Sequence, residues 1–118
     1  MLQQTQTLTS SNIETTRHLK ELGFELPPVS VPAASYVPAV RSGNLLFTSG
    51  QLPLRAGSLI ASGKVGAEIT IEEAAELAAL CTLNALAAAA EYGDLDRARI
   101  LKVVGYVASA PVLPVNRQ

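Results

Sequence analysis

The sequence predicts an α+β fold in which a mixed β-sheet is covered on one face by a single long helix. Gly43-Asn44 sits between two apolar runs, and a Gly-Asn pair in that setting marks a two-residue hairpin turn. Residues 70–90 combine a capping box with an Ala- and Leu-rich run of high helix propensity. Residues 100–108, ILKVVGYVA, then return to strand composition. The order hairpin, helix, strand predicts a right-handed crossover that lays the last strand parallel to an earlier one.

Residues 1–10 are a Gln/Thr/Ser-rich arm without periodicity and are expected to be mobile, leaving 11–118 as a single domain. Asn12 is the expected N-cap of a short helix in which Ile13, Leu19 and Leu22 are mixed with Glu14, Arg17, His18, Lys20 and Glu21. Gly23 suits its C-terminal end, and Pro27-Pro28 forces an extended connector. Residues 36–41 read as a strand that Pro38 confines to an edge or a bulge. They should pair antiparallel with residues 45–49. The first residue of one hairpin strand faces the last of the other, so Tyr36 is brought near Ser49-Gly50.

A weak strand is expected near residues 59–61, followed by Gly63-Lys64-Val65-Gly66. In the long helix, Thr70 should accept from the amide of Glu73. Ala74, Leu77, Ala78, Cys81, Ala85 and Ala88 form one stripe at helical spacing, and its small side chains allow close approach to a sheet. Gly93 ends the helix, and Asp94-Leu95-Asp96 makes a capped turn. Residues 100–108 are apolar on both faces, which predicts a central strand covered on both sides. One helix layer covers one sheet face, so a subunit interface is expected over the other.

With 118 residues the chain is one domain, and 48% hydrophobic against 16% charged residues suits one that hides surface against copies of itself. Nine basic and ten acidic residues give a net charge of −1 without a basic run, which disfavours nucleic-acid binding. The single cysteine, Cys81, excludes an internal disulfide and reads as a small core residue. No Cys/His cluster has metal-ligand spacing. The start of the chain does not resemble a signal sequence, and Glu76, Thr82 and Asn84 interrupt the Ala-rich run, so neither export nor a membrane span is expected. A soluble cytoplasmic protein is the resulting expectation.

Familiar catalytic patterns are missing. There is no Gly-x-Ser-x-Gly elbow, and the one histidine, His18, falls on a polar helix away from any nucleophile candidate. Glu72, Glu73 and Glu76 occupy the first turns of a helix, where the dipole favours negative charge. Gly63-Lys64-Val65-Gly66 lacks the length and the Lys-Ser/Thr ending of a P-loop and reads as a turn. Arg41, Arg55, Arg97 and Arg99 read as surface charges. What remains is Ser49-Gly50-Gln51, where bulk gives way to a hydroxyl, a missing side chain and an amide at the end of an apolar strand.

The succession Leu22-Gly23, Leu26-Pro27, YVPAVRSGNLLFTSGQLP at 36–53, Gly63-Lys64-Val65-Gly66, Thr70-Ile71-Glu72-Glu73-Ala74, Leu83-Asn84-Ala85-Leu86-Ala87 and Gly93-Asp94-Leu95-Asp96 resembles the RidA/YjgF family. Its members are often labelled endoribonuclease L-PSP, and the chain is most similar to the branch with an added N-terminal helix. The resemblance implies a chorismate-mutase-like α+β fold assembled as a homotrimer, with small-molecule sites in the clefts between subunits. It further implies hydrolysis of reactive enamines and imines to 2-keto acids and ammonia without a metal or organic cofactor. Tyr36 matches the family's site tyrosine and Ser49-Gly50 its serine and glycine, and Gln51 completes the candidate ligand-binding set. The family's substrate-holding arginine and water-positioning glutamate lie beyond the strand that 100–108 matches. Neither is assignable here, Arg117 included, and the family fold is expected to be truncated at its C-terminal side. The alternative expectation is a trimeric binding or interaction module without catalysis.

Overall fold

The computed structural model describes residues 11–29 and 35–111; the expected mobile arm at 1–10 and Arg117 lie outside the described residues. Its first helix, α1 (Ile13–Glu21), ends as the sequence predicts. Gly23 takes a left-handed φ of 89°, its amide donates to the Lys20 carbonyl at 3.0 Å, and the Phe24 amide reaches back to Leu19 at 2.8 Å. This is a Schellman ending, in which glycine meets the positive φ without a Cβ clash.

The start of α1 differs from expectation. Asn12 occupies the N-cap position but makes no side-chain cap bond. Its Oδ1 accepts instead from the Leu95 amide at 2.6 Å, and its own amide donates to Asp94 Oδ1 at 3.0 Å. The helix amides left open are met from 82 positions along the chain: Glu14 N donates to Asp96 Oδ2 at 3.1 Å. Thr15 N and Thr15 Oγ1 both reach Asp96 Oδ1 at 2.8 Å. A carboxylate carries charge opposite to the helix N-terminus and accepts several donors at once, so it displaces the local amide as cap. No residue within α1 is buried, and these polar contacts dock the helix.

The hairpin forms in the predicted register. Strands β1 (Ala39–Ser42) and β2 (Leu45–Thr48) pair Ala39 with Thr48 and Ser42 with Leu45 across Gly43-Asn44, where Gly43 has φ 59°. A second, smaller hairpin joins β3 (Leu54–Arg55) to β4 (Ser58–Leu59), with both turn residues, Ala56 and Gly57, at positive φ. The segment 63–69 then closes on itself. Gly66 N donates to Ile69 O at 2.8 Å, and a Cβ on Gly63 would sit 2.7 Å from the Glu68 Cβ.

Helix α2 (Ile71–Ala90) starts at the predicted capping box. Thr70 Oγ1 accepts from Glu73 N at 3.1 Å, and Glu73 Oε2 accepts from Thr70 N at 3.0 Å. By length and composition α2 could cross a membrane; here it packs against β2 and β3. Its buried residues are Leu80, Asn84, Ala87 and Ala88. Only Ala88 of these belongs to the predicted stripe, and the buried face is turned from it by roughly a quarter turn at ~100° per residue. Asn84 accounts for the turn, since its side chain reaches the backbone that links β2 to β3. The described core is small: Ala39, Ile69, Leu80, Ala87 and Ala88.

A 3-10 turn (Leu95–Arg97) follows α2, with Asp94 Oδ1 accepting from Asp96 N at 3.0 Å as the expected capped turn. The predicted strand over 100–108 does not join a ladder. Its contact with the rest is a parallel bridge between Val65 and Ser109, with Val65 N on Ala108 O and Ala110 N on Val65 O, both at 2.9 Å. The direction is the parallel one that the crossover predicts. The expected burial is not observed: Val103 is 79% and Tyr106 94% exposed. Strand composition favours pairing but does not supply a partner, and no described residue pairs with 100–107.

Candidate functional site

The end of β2 is organised by its own hydrogen bonds. Ser49 N donates to the Pro38 carbonyl at 2.8 Å, which carries the pairing one step beyond the ladder, and the Ser49 hydroxyl donates to the Val37 carbonyl. The Gln51 side-chain amide donates to the Ser49 carbonyl at 3.3 Å. Extending the β1–β2 register puts Val37 across from Gly50 and Tyr36 across from Gln51. The ladder itself stops at Ala39–Thr48, so the strand read over 36–41 begins at 39, and Tyr36, 47% exposed, lies in the segment that leads into it.

Two consequences follow for chemistry at this wall. The hydroxyl hydrogen of Ser49 is committed to Val37, so toward a ligand its oxygen acts as an acceptor. Gly50 lies exposed, and a Cβ built there meets nothing within 4 Å. Its φ falls outside the left-handed range, so neither backbone conformation nor a neighbour within the described chain requires a glycine at this position.

Beyond Gln51 the chain turns sharply at Pro53, with Leu54 N donating to Leu52 O at 2.8 Å. Proline's fixed φ suits this three-residue turn. Asn84 meets the turn from α2, its Nδ2 donating to Leu52 O at 3.1 Å and to Leu54 O at 3.0 Å. Reading the sequence did not single out Asn84 as a contact. The available signal is a poor helix former inside a Leu/Ala run, which is retained at a propensity cost when its amide is needed elsewhere.

The two arginines nearest the hairpin are differently placed. Arg41 spends Nε on Gly43 O at 3.1 Å and Nη1 on Tyr92 O at 3.4 Å, tying the hairpin turn to the segment after α2. Arg55 lies on β3, next to the turn. Burial pushes the Cys81 thiol above its ordinary pKa, against an opposing backbone hydrogen bond, so it stays a neutral thiol. Among the described residues no group of three His, Cys, Asp or Glu side chains could hold a metal ion.

An open depression lies elsewhere, between α1 and the 3-10 turn, lined by Thr15, Arg17, His18, Leu95 and Asp96 among others. Its polar groups serve each other: Arg17 bridges Glu14 and Glu21, while Asp96 caps α1. Burial pulls the Asp96 carboxyl upward, but the bonds from Thr15, Glu14 and Ile13 outweigh it and hold it below its ordinary pKa. The depression is a joint between elements.

Residues 16–114 match the family described as "YjgF/chorismate mutase-like, putative endoribonuclease". The chain belongs to this family. Protein TCP17 of Trypanosoma cruzi is 38% identical over 96 residues, covering 80% of this chain and 60% of its own length. Two crystal structures are similar to the chain as well. A protein of unknown function from Agrobacterium tumefaciens has 44% identity and a TM-score of 0.57, covering 70% of this chain and 49% of its own. A "putative endoribonuclease" from Shewanella oneidensis MR-1 has 38% identity and a TM-score of 0.63, covering 69% and 54%. The chain thus spans about half of these two structures and 60% of the curated relative. Its α+β fold is that of the YjgF family.

Proposed function

We propose that this YjgF-family chain binds small 2-imino and 2-keto acids at the wall formed by Tyr36, Ser49, Gly50 and Gln51. The sites lie in clefts between the subunits of a cytoplasmic homotrimer. The lineage chemistry is hydrolysis of reactive enamines and imines: water adds to the C=N carbon, the carbinolamine expels ammonia, and a 2-keto acid remains. The observation that carries this reading is the hydrogen-bonded but open Ser49-Gly50 edge. An accepting Ser49 oxygen suits the N–H of a protonated imine. A glycine with empty space before it suits a ligand, or a neighbouring subunit, lying against the backbone. No metal or organic cofactor enters this reaction.

The arrangement of the arginines favours a second reading, in which the module binds without turning over. Two-pronged recognition of a carboxylate needs a free guanidinium edge, and Arg41 is engaged with two carbonyls. The ribonuclease label of the family is not our reading, because a net charge of −1 without a basic run offers little to an RNA backbone.

Calorimetric titration of the 118-residue chain with 2-oxobutanoate, alongside light scattering, tests the proposal. Saturable binding by a trimer, weakened at least tenfold by Gly50→Val and more modestly by Ser49→Ala, is expected. A monomer that ignores the keto acid, or binding indifferent to both substitutions, overturns it. Turnover of a freshly generated 2-imino acid is expected to be slow for this chain; rapid enzyme-dependent release of keto acid would exclude the binding-only reading.

A further inference from the structure

We infer that Asn84 is a positioning residue for the candidate site, setting the path of the 49–54 limb through its side-chain amide. The side chain is 1% exposed and donates both hydrogens into one three-residue turn, to Leu52 O and Leu54 O. Leu52 O also accepts from Leu54 N, so both lone pairs of that carbonyl are occupied. The amide orientation follows from its partners. Flipping it would aim Oδ1 at two carbonyl oxygens, which repel it.

Burial of Leu52 contributes little to holding this limb, because that side chain is 55% exposed. From the turn, Gln51 continues the chain of contacts to the Ser49 carbonyl. The path α2, Asn84, Leu52 and Leu54, Gln51, Ser49 links the long helix to the site edge. Asn84 Oδ1 is buried without a partner among the described residues. A side chain that retains an unmet buried acceptor is held there by what its donors do. The consequence for ligand affinity rests on the proposed function, whereas the mechanical coupling does not.

The test uses the 118-residue chain and four forms: wild type, Asn84→Leu, Asn84→Ala and Asn84→Asp. Amide hydrogen exchange at Leu54 and the backbone shifts of 49–54 are followed without ligand, with α2 amides as the folding control. Asn84→Leu fills the volume without a donor and is expected to lower Leu54 protection about tenfold. Asn84→Asp should resemble it at neutral pH and recover part of the protection in acid, where the protonated carboxyl donates one hydrogen. Wild type and Asn84→Leu should show no such recovery. Should the aspartate fail to fold, Asn84→Ala against Asn84→Leu decides, since a donor role predicts the same limb shifts in both and a packing role predicts them only in alanine.

Limb shifts and Leu54 protection unchanged in Asn84→Leu overturn the inference. So does an Asn84→Asp protein without acid recovery. If wild type fails to bind 2-oxobutanoate while the limb responds as described, the functional proposal falls and the positioning role stands. If wild type binds and Asn84→Leu binds equally with an unmoved limb, the positioning role falls alone.

Discussion

Two of the long-range joints among the described residues are built on opposite plans. Five hydrogen bonds connect Asn12, Glu14 and Thr15 to Asp94, Leu95 and Asp96, in partly buried or exposed positions. Asn84 makes two, from a side chain that is 1% exposed. Counting bonds ranks the first joint higher; solvent access ranks the second higher. Water replaces a broken bond at the surface, whereas a carbonyl deprived of its donor inside the fold stays unmet. The buried joint is therefore expected to govern global stability and the exposed one to govern only where α1 sits.

The largest effect should come from Asn84→Ala, which removes two buried donors and leaves a void. A loss of about 2–3 kcal/mol in a urea-unfolding measurement is expected. A change below about 0.5 kcal/mol would erase the contrast. Next is Thr70→Ala, which breaks the local capping box on α2 and should cost about 1 kcal/mol. It calibrates what an exposed bond is worth in the same helix.

Asp96→Ala should detach α1 while leaving α2 and the hairpins intact. The readout is loss of exchange protection confined to residues 14–21; protection lost equally in α2 would show that the exposed joint is not local. The same joint carries a pH signature. The Asp96 carboxyl is held below its ordinary pKa when folded, so its contribution is present above the unfolded value and disappears as pH falls through the folded one. Docking of α1 should be constant from neutral to mildly acidic pH and fail only below the ordinary carboxylate range, as pH falls through the lowered folded value. Asp96→Asn, which cannot titrate, is the control and should lack this acid-dependent step.

The smallest stability effect is expected at Gly50. Gly50→Ala meets open space at a φ outside the left-handed range and should alter stability by less than about 0.5 kcal/mol, while weakening 2-oxobutanoate binding. An alanine that leaves binding unchanged would make Gly50 a bystander.

Elements read directly from the sequence share one property: their bonds close within a few residues. The Schellman glycine, the Thr70–Glu73 box and the Gly43-Asn44 turn each satisfy backbone groups three to five positions away, so residue order alone specifies them. The meeting of Ser49 with Pro38 and Val37 follows from the same turn, because a two-residue loop sets the register of what flanks it. Residues 100–108 show where such reading stops. Their composition favours a strand as strongly as that of 45–48, yet 45–48 has a turn that delivers its partner and 100–108 does not.

By itself, then, the sequence determined the α+β class, the hairpin and its register, the limits of α2, and family membership through ordered local blocks. Only the tertiary structure decided which face of α2 is buried, what caps α1 and what the hydroxyl of Ser49 donates to. Each of those choices is made by a polar group whose partner lies 12 to 83 positions away. Helical and strand periodicity record which side chains are apolar. They carry no information about where a distant carbonyl or carboxylate will come to rest, and a buried amide or a charged cap follows the partner it finds there.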